Sequence, residues 1–367
     1  HMTGLQLARL YYEQAGRSGL MEQFPQLNGQ LAVGRVGEGS ECFGLDDALS
    51  RDHDYGPGFC LWMDEAIFLR WGAQLQRAYR ALPDTYAGYR RPTEGPFLRR
   101  VGPMSTSAFY RQFLGPGGLP QSEEDWMALP QETLAACTNG EVFADPPGTF
   151  SAIRRYLLAG YPEQVRCKKL AAHCALAGQA GQYNHLRCIV REDPCAVLWA
   201  RQQFIYHFQA AVFLLNRRFM PYGKWARQAL ARLDNLGDVC APLLDRVACG
   251  QAAQEAIEDA CSLLASHLRT QYRTRQLAAG SWAGDPGHTD LPCIGPAAAA
   301  VMAQRLADMR LYRSLLLYTK GAIYDGSYPI GRIACGGIGH TCGSSLQRAF
   351  VGRVRRGCNQ GGKPHRR

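Results

Sequence analysis

The 367-residue chain has no run of 18 apolar residues, so no helical membrane span is expected. No basic-then-apolar leader follows the first residues. His1-Met2 reads as a cloning remnant, and a cytoplasmic protein is the expectation. No two of the 14 cysteines are spaced Cys-x-x-Cys, which argues against a zinc ribbon. Cys335 and Cys342, seven apart in a Gly-rich tail, have poor metal spacing, and most cysteines are read as small buried hydrophobes. His53, His173 and His207 lack the ligand spacing of a metal-dependent phosphohydrolase. Acidic residues are scarce near the end: Gly321 to Arg367 holds eight Lys or Arg against one Asp, so most of the net charge of +10 sits there. The near-balanced remainder argues against a nucleic-acid surface on the body and leaves only weak contact by the basic tail.

What the chain does have is concentrated between Leu31 and Met63. A short apolar run, Leu31 to Val36, reads as a buried strand and leads into the small-residue turn Gly37-Glu38-Gly39-Ser40. Asp52-His53-Asp54 follows, and then a second apolar run from Phe59 to Met63. Residues i and i+2 of an extended segment share a face, so Asp52 and Asp54 are expected to project together from the lip of a strand. Neighbouring carboxylates repel unless a cation lies between them. Mg²⁺ takes carboxylate oxygens together with substrate phosphates, and backbone amides of a Gly-Ser turn can cradle a phosphate. Asp clusters beside Gly and Pro are also ordinary turns; the combination with Gly39-Ser40 is what makes the nucleotide-and-metal reading specific.

That combination resembles the active-site motif of the polymerase-beta-like nucleotidyltransferases, which include the kanamycin and lincosamide enzymes. The longer segments GEGSE and SRDHDYGP are similar to an uncharacterised bacterial nucleotidyltransferase-like domain of unknown function. The similarity extends through TNGEVFAD, GQYNHLR and LNRRFMPYGKW to about residue 240. It implies Mg²⁺ (or Mn²⁺) on Asp52 and Asp54, phosphates on Gly39 and Ser40, and transfer of a nucleoside monophosphate from an NTP, in the first instance ATP, with release of pyrophosphate. The acceptor stays open among small molecule, protein and RNA. The rival is a non-catalytic nucleotide-binding or regulatory protein that keeps the fold.

The superfamily has a third metal carboxylate on a later strand. Asn139-Gly140 is a strong turn signal, and Val142 to Asp145 reads as a short strand cut off by Pro146-Pro147. Asp145 at its end is the expected third catalytic and metal-binding carboxylate, with Glu141, of the same parity, as the alternative. Asp64 to Leu82 is a good amphipathic helix, N-capped by Asp64 and ended by Pro83. Residues 84–135, with Arg90-Arg91, Arg99-Arg100 and a short helix at Thr106 to Leu114, read as an excursion near the site. From Thr149 helices dominate: 153–159, 164–177, 183–190, 197–218, 224–233 and 252–277, joined by short turns as in a bundle. Lys and Arg can neutralise a triphosphate. Lys169, Asn184 and Lys224 are therefore further nucleotide-binding candidates, Lys224 foremost because the break at Pro221 can aim it into the cleft.

The expected fold is α/β (α+β), in three parts: a small mixed-sheet nucleotidyltransferase domain over 1–150, a helical bundle over 151–318, and a basic, mobile Gly/Arg/Cys-rich tail over 319–367. Residues 280–296 read as a linker and Pro296 to Tyr318 as one more helix.

Overall fold

The sheet forms where short apolar runs alternate between two apolar surroundings. The computed structural model describes residues 2–50, 55–92 and 95–279, all within one compact unit. The linker, helix and tail expected over 280–367 lie outside the described residues.

Helix α1 (Gly4–Tyr11) begins at Thr3, whose side chain and that of Gln6 form a capping box. It continues through a π-helical stretch into α2 (Arg17–Met21). Then come β1 (Ala32–Arg35), β2 (Cys60–Met63), α3 (Glu65–Ala81), a minute hairpin of β3 (Thr85–Tyr86) and β4 (Tyr89–Arg90), β5 (Gly102–Ser105) and α4 (Thr106–Leu114). Helices α5 (Glu123–Ala128) and α6 (Gln131–Thr138) lead to β6 (Glu141–Ala144) and α7 (Thr149–Leu158). The remaining helices are α8 (Glu163–Ala177), α9 (His185–Val190), α10 (Pro194–Leu215), α11 (Gly223–Leu230), α12 (Gly237–Cys249) and α13 (Ala253–Ala279). The class is mixed α/β: a small mixed sheet with a helical bundle.

The main sheet has the order β5-β2-β1-β6, with β1 antiparallel to both neighbours and β2 parallel to β5. Residues 84–135 are thus no excursion, because they supply an edge strand. β5 escaped notice because Gly-Pro-Met-Ser has neither β-branched residues nor alternation; its place is set by pairing with β2 across the α3 crossover. Arg91 is buried and donates to the carbonyls of Tyr79, Arg80 and Leu82, closing the end of α3.

Successive residues of β1 and β2 face opposite sides. Val33, Leu61 and Met63 join Tyr11, Leu20, Leu75 and Tyr79 under α1–α3. Ala32, Cys60 and Trp62 join the other core, which runs through Phe109 and Phe150 to Phe204, Phe208 and Ile257 of the bundle. Trp62 stacks on Phe150 with ring centroids 3.7 Å apart. Gly34 lets β6 close on β1, since a Cβ there would stand 2.4 Å from the Glu141 carbonyl oxygen.

The bundle buries imidazoles in neutral form. His173 and His207 face each other Nδ1 to Nδ1 at 3.0 Å between α8 and α10. His185 is fully buried: Arg201 Nε donates to its Nε2, and its Nδ1 bonds the Gln254 side-chain oxygen. Burial lowers the pKa of all three; for His173, with the charges of His207 and Lys169 added, it falls to about 4. The unfolded chain takes up these protons near pH 6.5, whereas the folded one resists them. Their stabilisation is therefore complete above about pH 6.5 and is lost as pH falls below it, for His173 toward about 4. We expect the unfolding free energy from urea titrations to drop steadily between pH 7 and pH 4.5, by on the order of 2 kcal/mol for the half-buried His173 pair after solvent screening. A flat profile over that range would contradict the neutral pair.

Candidate active site

The strand directions gather four segments at one end of the sheet. β1 leaves there into the Gly37–Ser40 turn, and β2, β5 and β6 all begin there, because Gly34 pairs with Cys60, Cys60 with Gly102 and Arg35 with Glu141. Turn, residues 55–59, Arg99-Arg100 and Asn139–Glu141 therefore share one edge.

The turn is anchored from beneath. Arg35 is 3% exposed; its Nε and Nη2 donate to Glu41 Oε1 at 3.0 and 2.5 Å, and its Nη1 donates to the Arg100 carbonyl at 2.8 Å. Burial opposes both charges, but the pairing outweighs it. Glu41 is held below the usual carboxylate range and Arg35 above its own ordinary value. Asn139 holds the turn from the side, accepting from Gly37 N at 3.0 Å and donating to Gly37 O at 2.6 Å. Ser40 opens a short 3₁₀ turn, Ser40–Phe43, and Gly39 is buried against the Glu41 carboxylate. Among the described residues nothing accepts from the backbone N–H of Glu38, Gly39 or Ser40. Beside the turn lies a depression of about 110 Å³ lined by Gly37, Glu38, Arg99, Arg100, Gln112 and Phe113. It is smaller than the roughly 300–1,000 Å³ of a complete ligand pocket, so it can take one end of a molecule.

Asp52, His53 and Asp54 lie outside the described residues. β2 starts at Cys60, so residues 55–59 separate the Asp-x-Asp pair from the strand whose lip it was expected to occupy. Tyr55 packs edge to face on Tyr89, and its ring lies next to Gly4 at the start of α1.

Asp145 is not at this end. It follows β6 at the opposite edge, where Oδ1 accepts from Gly148 N at 2.9 Å and Oδ2 from Ser151 N at 2.7 Å. The Asp-Pro-Pro-Gly turn brings the first amides of α7 back onto the carboxylate, which meets both their N–H groups and the positive end of the helix. The expectation of a third catalytic carboxylate at Asp145 is thereby corrected: its carboxylate is taken up by the backbone N–H groups of Gly148, the N-cap residue of α7, and of Ser151. Asp145→Ala should cost about 1 kcal/mol of stability and leave nucleotide affinity unchanged; thermal melts and a binding titration check both. Glu141, the alternative, stands at the turn end of β6 opposite Arg35, half-exposed and ion-paired with Arg9. Arg9 also lies 4.8 Å over the Phe143 ring.

Lys169 does not reach the site either. Its Nζ donates to the carbonyls of Met127 and Leu129 and sits over the Tyr161 ring, tying the α5–α6 connection to α8. Asn184 ends the π-helical stretch Gly178–Asn184, which packs on α8, α9, α10 and α13 rather than along the sheet edge. Lys224 is exposed at the start of α11 with Nζ 4.7 Å over the Trp225 ring. From that region it is Arg232 that reaches the loop after the turn, donating to the Gly44 carbonyl at 3.1 Å. Cations at the sheet edge among the described residues include Arg9, Arg35, Arg99, Arg100 and Arg154. The sequence flagged Arg99-Arg100 only as a pair; Arg154, on a helix eight residues past Pro146, carried no signal. Among the described residues no three His, Cys, Asp or Glu side chains are grouped to hold a metal ion. No helix among them is long and apolar enough to cross a membrane.

A protein-family profile described as a domain of unknown function (DUF4037) matches residues 126–226. That span contains TNGEVFAD, GQYNHLR and LNRRFMPYGKW but not Gly39-Ser40 or Asp52-His53-Asp54. No curated protein matches. Among solved structures, a nucleotidyltransferase-like protein from Exiguobacterium sibiricum 255-15 is 11% identical, with 82% of this chain and 92% of that one covered and a TM-score of 0.33. At that score the likeness carries no argument about this fold. The likeness to the kanamycin and lincosamide enzymes rests on the spacing of Gly39-Ser40 and Asp52-x-Asp54 alone.

Proposed function

We propose that the chain is a metal-dependent nucleotidyltransferase that moves a nucleoside monophosphate, AMP from ATP, onto an acceptor with release of pyrophosphate. One observation carries the reading: three successive N–H groups, Glu38 to Ser40, with no acceptor among the described residues, on a turn held at both ends, at the sheet edge where Glu141 also stands. Backbone N–H groups that find no acceptor within the protein are free to donate to an anion such as a phosphate. The β and γ phosphates rest there. Asp52, Asp54 and Glu141 offer the hard oxygen donors that suit Mg²⁺, and Glu141 replaces Asp145 as the third carboxylate. The ion, when bound, supplies charge neutralisation at the phosphates. The acceptor hydroxyl attacks the α-phosphorus in line with the leaving pyrophosphate. A P–O bond to the acceptor forms, the bond to pyrophosphate breaks, and Glu141 receives the hydroxyl proton once it has parted from Arg9.

The pairing of Glu141 with Arg9 also favours a second reading, a nucleotide-binding protein without transfer. Incubation with Mg²⁺, a cell extract and ATP labelled at the α- or γ-phosphate separates the two. The α-label should move to an acceptor while the γ-label leaves in pyrophosphate. Transfer of the γ-label would indicate a kinase. Saturable ATP binding with neither label transferred would establish the second reading.

A further inference from the structure

We infer that Asn139, Gly140 and Arg154 are positioning residues that hold the Gly37–Ser40 turn in the shape a polyphosphate needs. The ligand in this inference rests on the nucleotide reading above; the brace itself does not.

Asn139 spends both ends of its amide on one residue, accepting from Gly37 N and donating to Gly37 O. A neighbouring strand would offer Gly37 the same pair of bonds. The side chain thus extends the constraint of the sheet just where β1 has stopped. Gly140, the next residue, grips the other end, its N donating to the Cys42 carbonyl at 2.8 Å. Its φ of 60° lies in the left-handed region, and a Cβ there would stand 2.0 Å from the Arg35 carbonyl oxygen. No residue with a side chain fits without moving β1. Arg154 closes the arrangement from α7, its Nη2 donating at 3.2 Å to both the Asn139 and Gly140 carbonyls. The turn is therefore fixed at Gly37 and Cys42, while the amides between them, at Glu38, Gly39 and Ser40, stay unshared among the described residues. Fixing the ends beforehand removes the ordering cost that a loose loop charges to every ligand.

The residue types fit this role. An aspartate at 139 would accept from Gly37 N but set a carboxylate against Gly37 O and add negative charge beside the phosphates. A lysine at 154 keeps a donor for the two carbonyls, whereas a methionine keeps only the bulk.

The test uses the full chain with Asn139→Ala, Asn139→Asp, Arg154→Lys and Arg154→Met. Backbone hydrogen exchange over residues 36–42 is read together with calorimetric titration of ATP and of inorganic tripolyphosphate. Asn139→Ala and Arg154→Met should exchange the hydrogen-bonded amides of Gly37 and Cys42 at least tenfold faster and bind both ligands about tenfold more weakly, without loss of cooperative unfolding. Asn139→Asp should bind more weakly still, and Arg154→Lys should recover most of the affinity. Unchanged exchange in folded variants overturns the brace. Faster exchange with wild-type affinity overturns the link to the ligand. If the wild type binds neither ATP nor tripolyphosphate, the nucleotide reading itself fails, while faster exchange in the variants would still establish the brace.

Discussion

A chain carrying Asp52→Asn together with Asp54→Asn is expected to fold like the parent and to have lost nucleotidyl transfer, by roughly a thousandfold or more. The two substitutions remove the charge that would hold a cation against the phosphates but keep the size of the side chains. Circular dichroism and the unfolding midpoint check the fold, and release of pyrophosphate checks the reaction. Glu141→Gln should act on the same step, lowering kcat by about a hundredfold or more with little change in nucleotide affinity, since its proposed contact is with the nucleophile. It should hardly move stability, because the Glu141–Arg9 pair is half-exposed, and such pairs contribute at most about 1 kcal/mol. Asp145→Asn, by contrast, should leave kcat intact. Wild-type transfer in the double variant would end the proposed mechanism. Loss of transfer in Asp145→Asn without loss of fold would restore that residue to the site.

Breaking the ion pair beneath the turn should have the largest effect on stability. The Arg35 and Glu41 side chains are 4% and 13% exposed, so removing one partner strands the other charge where water reaches it poorly. Glu41→Ala is expected to cost roughly 3–5 kcal/mol, a fall in melting temperature on the order of 10 °C for a unit of this size. Replacing both partners by apolar residues, Arg35→Met with Glu41→Leu, should recover much of that stability, because no uncompensated charge remains. The double variant should still bind nucleotide less well than the parent, since Arg35 also fixes the Arg100 carbonyl beside the turn. A single variant with a wild-type urea midpoint would show that the pair carries no structural weight.

Local chemistry alone settled a large part of this protein. The apolar runs before and after the Gly39-Ser40 turn are β1 and β2; the i, i+3, i+4 pattern from Ile67 to Tyr79 is α3, and Asp64 caps it as read. The short helix at Thr106–Leu114 and the helical character after Thr149 also follow from periodicity. These features depend on residues within a few positions of one another, so a sequence displays them. What it could not display is partnership across distance. β5 is a strand only because β2 lies beside it. Glu141 begins β6 and Asp145 follows its end, and the antiparallel register with β1 decides that Glu141 stands at the turn edge while Asp145 meets the N–H groups of Gly148 and Ser151. Lys169 was chosen for its charge, yet the fold brings two backbone carbonyls to its ammonium, and that geometry outweighs any pull toward the site. Asn139 read as half of a turn signal; its work on Gly37, 102 positions away, exists only once β6 lies against β1. Residue type states what a side chain can bond, and the packing of distant strands and helices decides which of those bonds it makes.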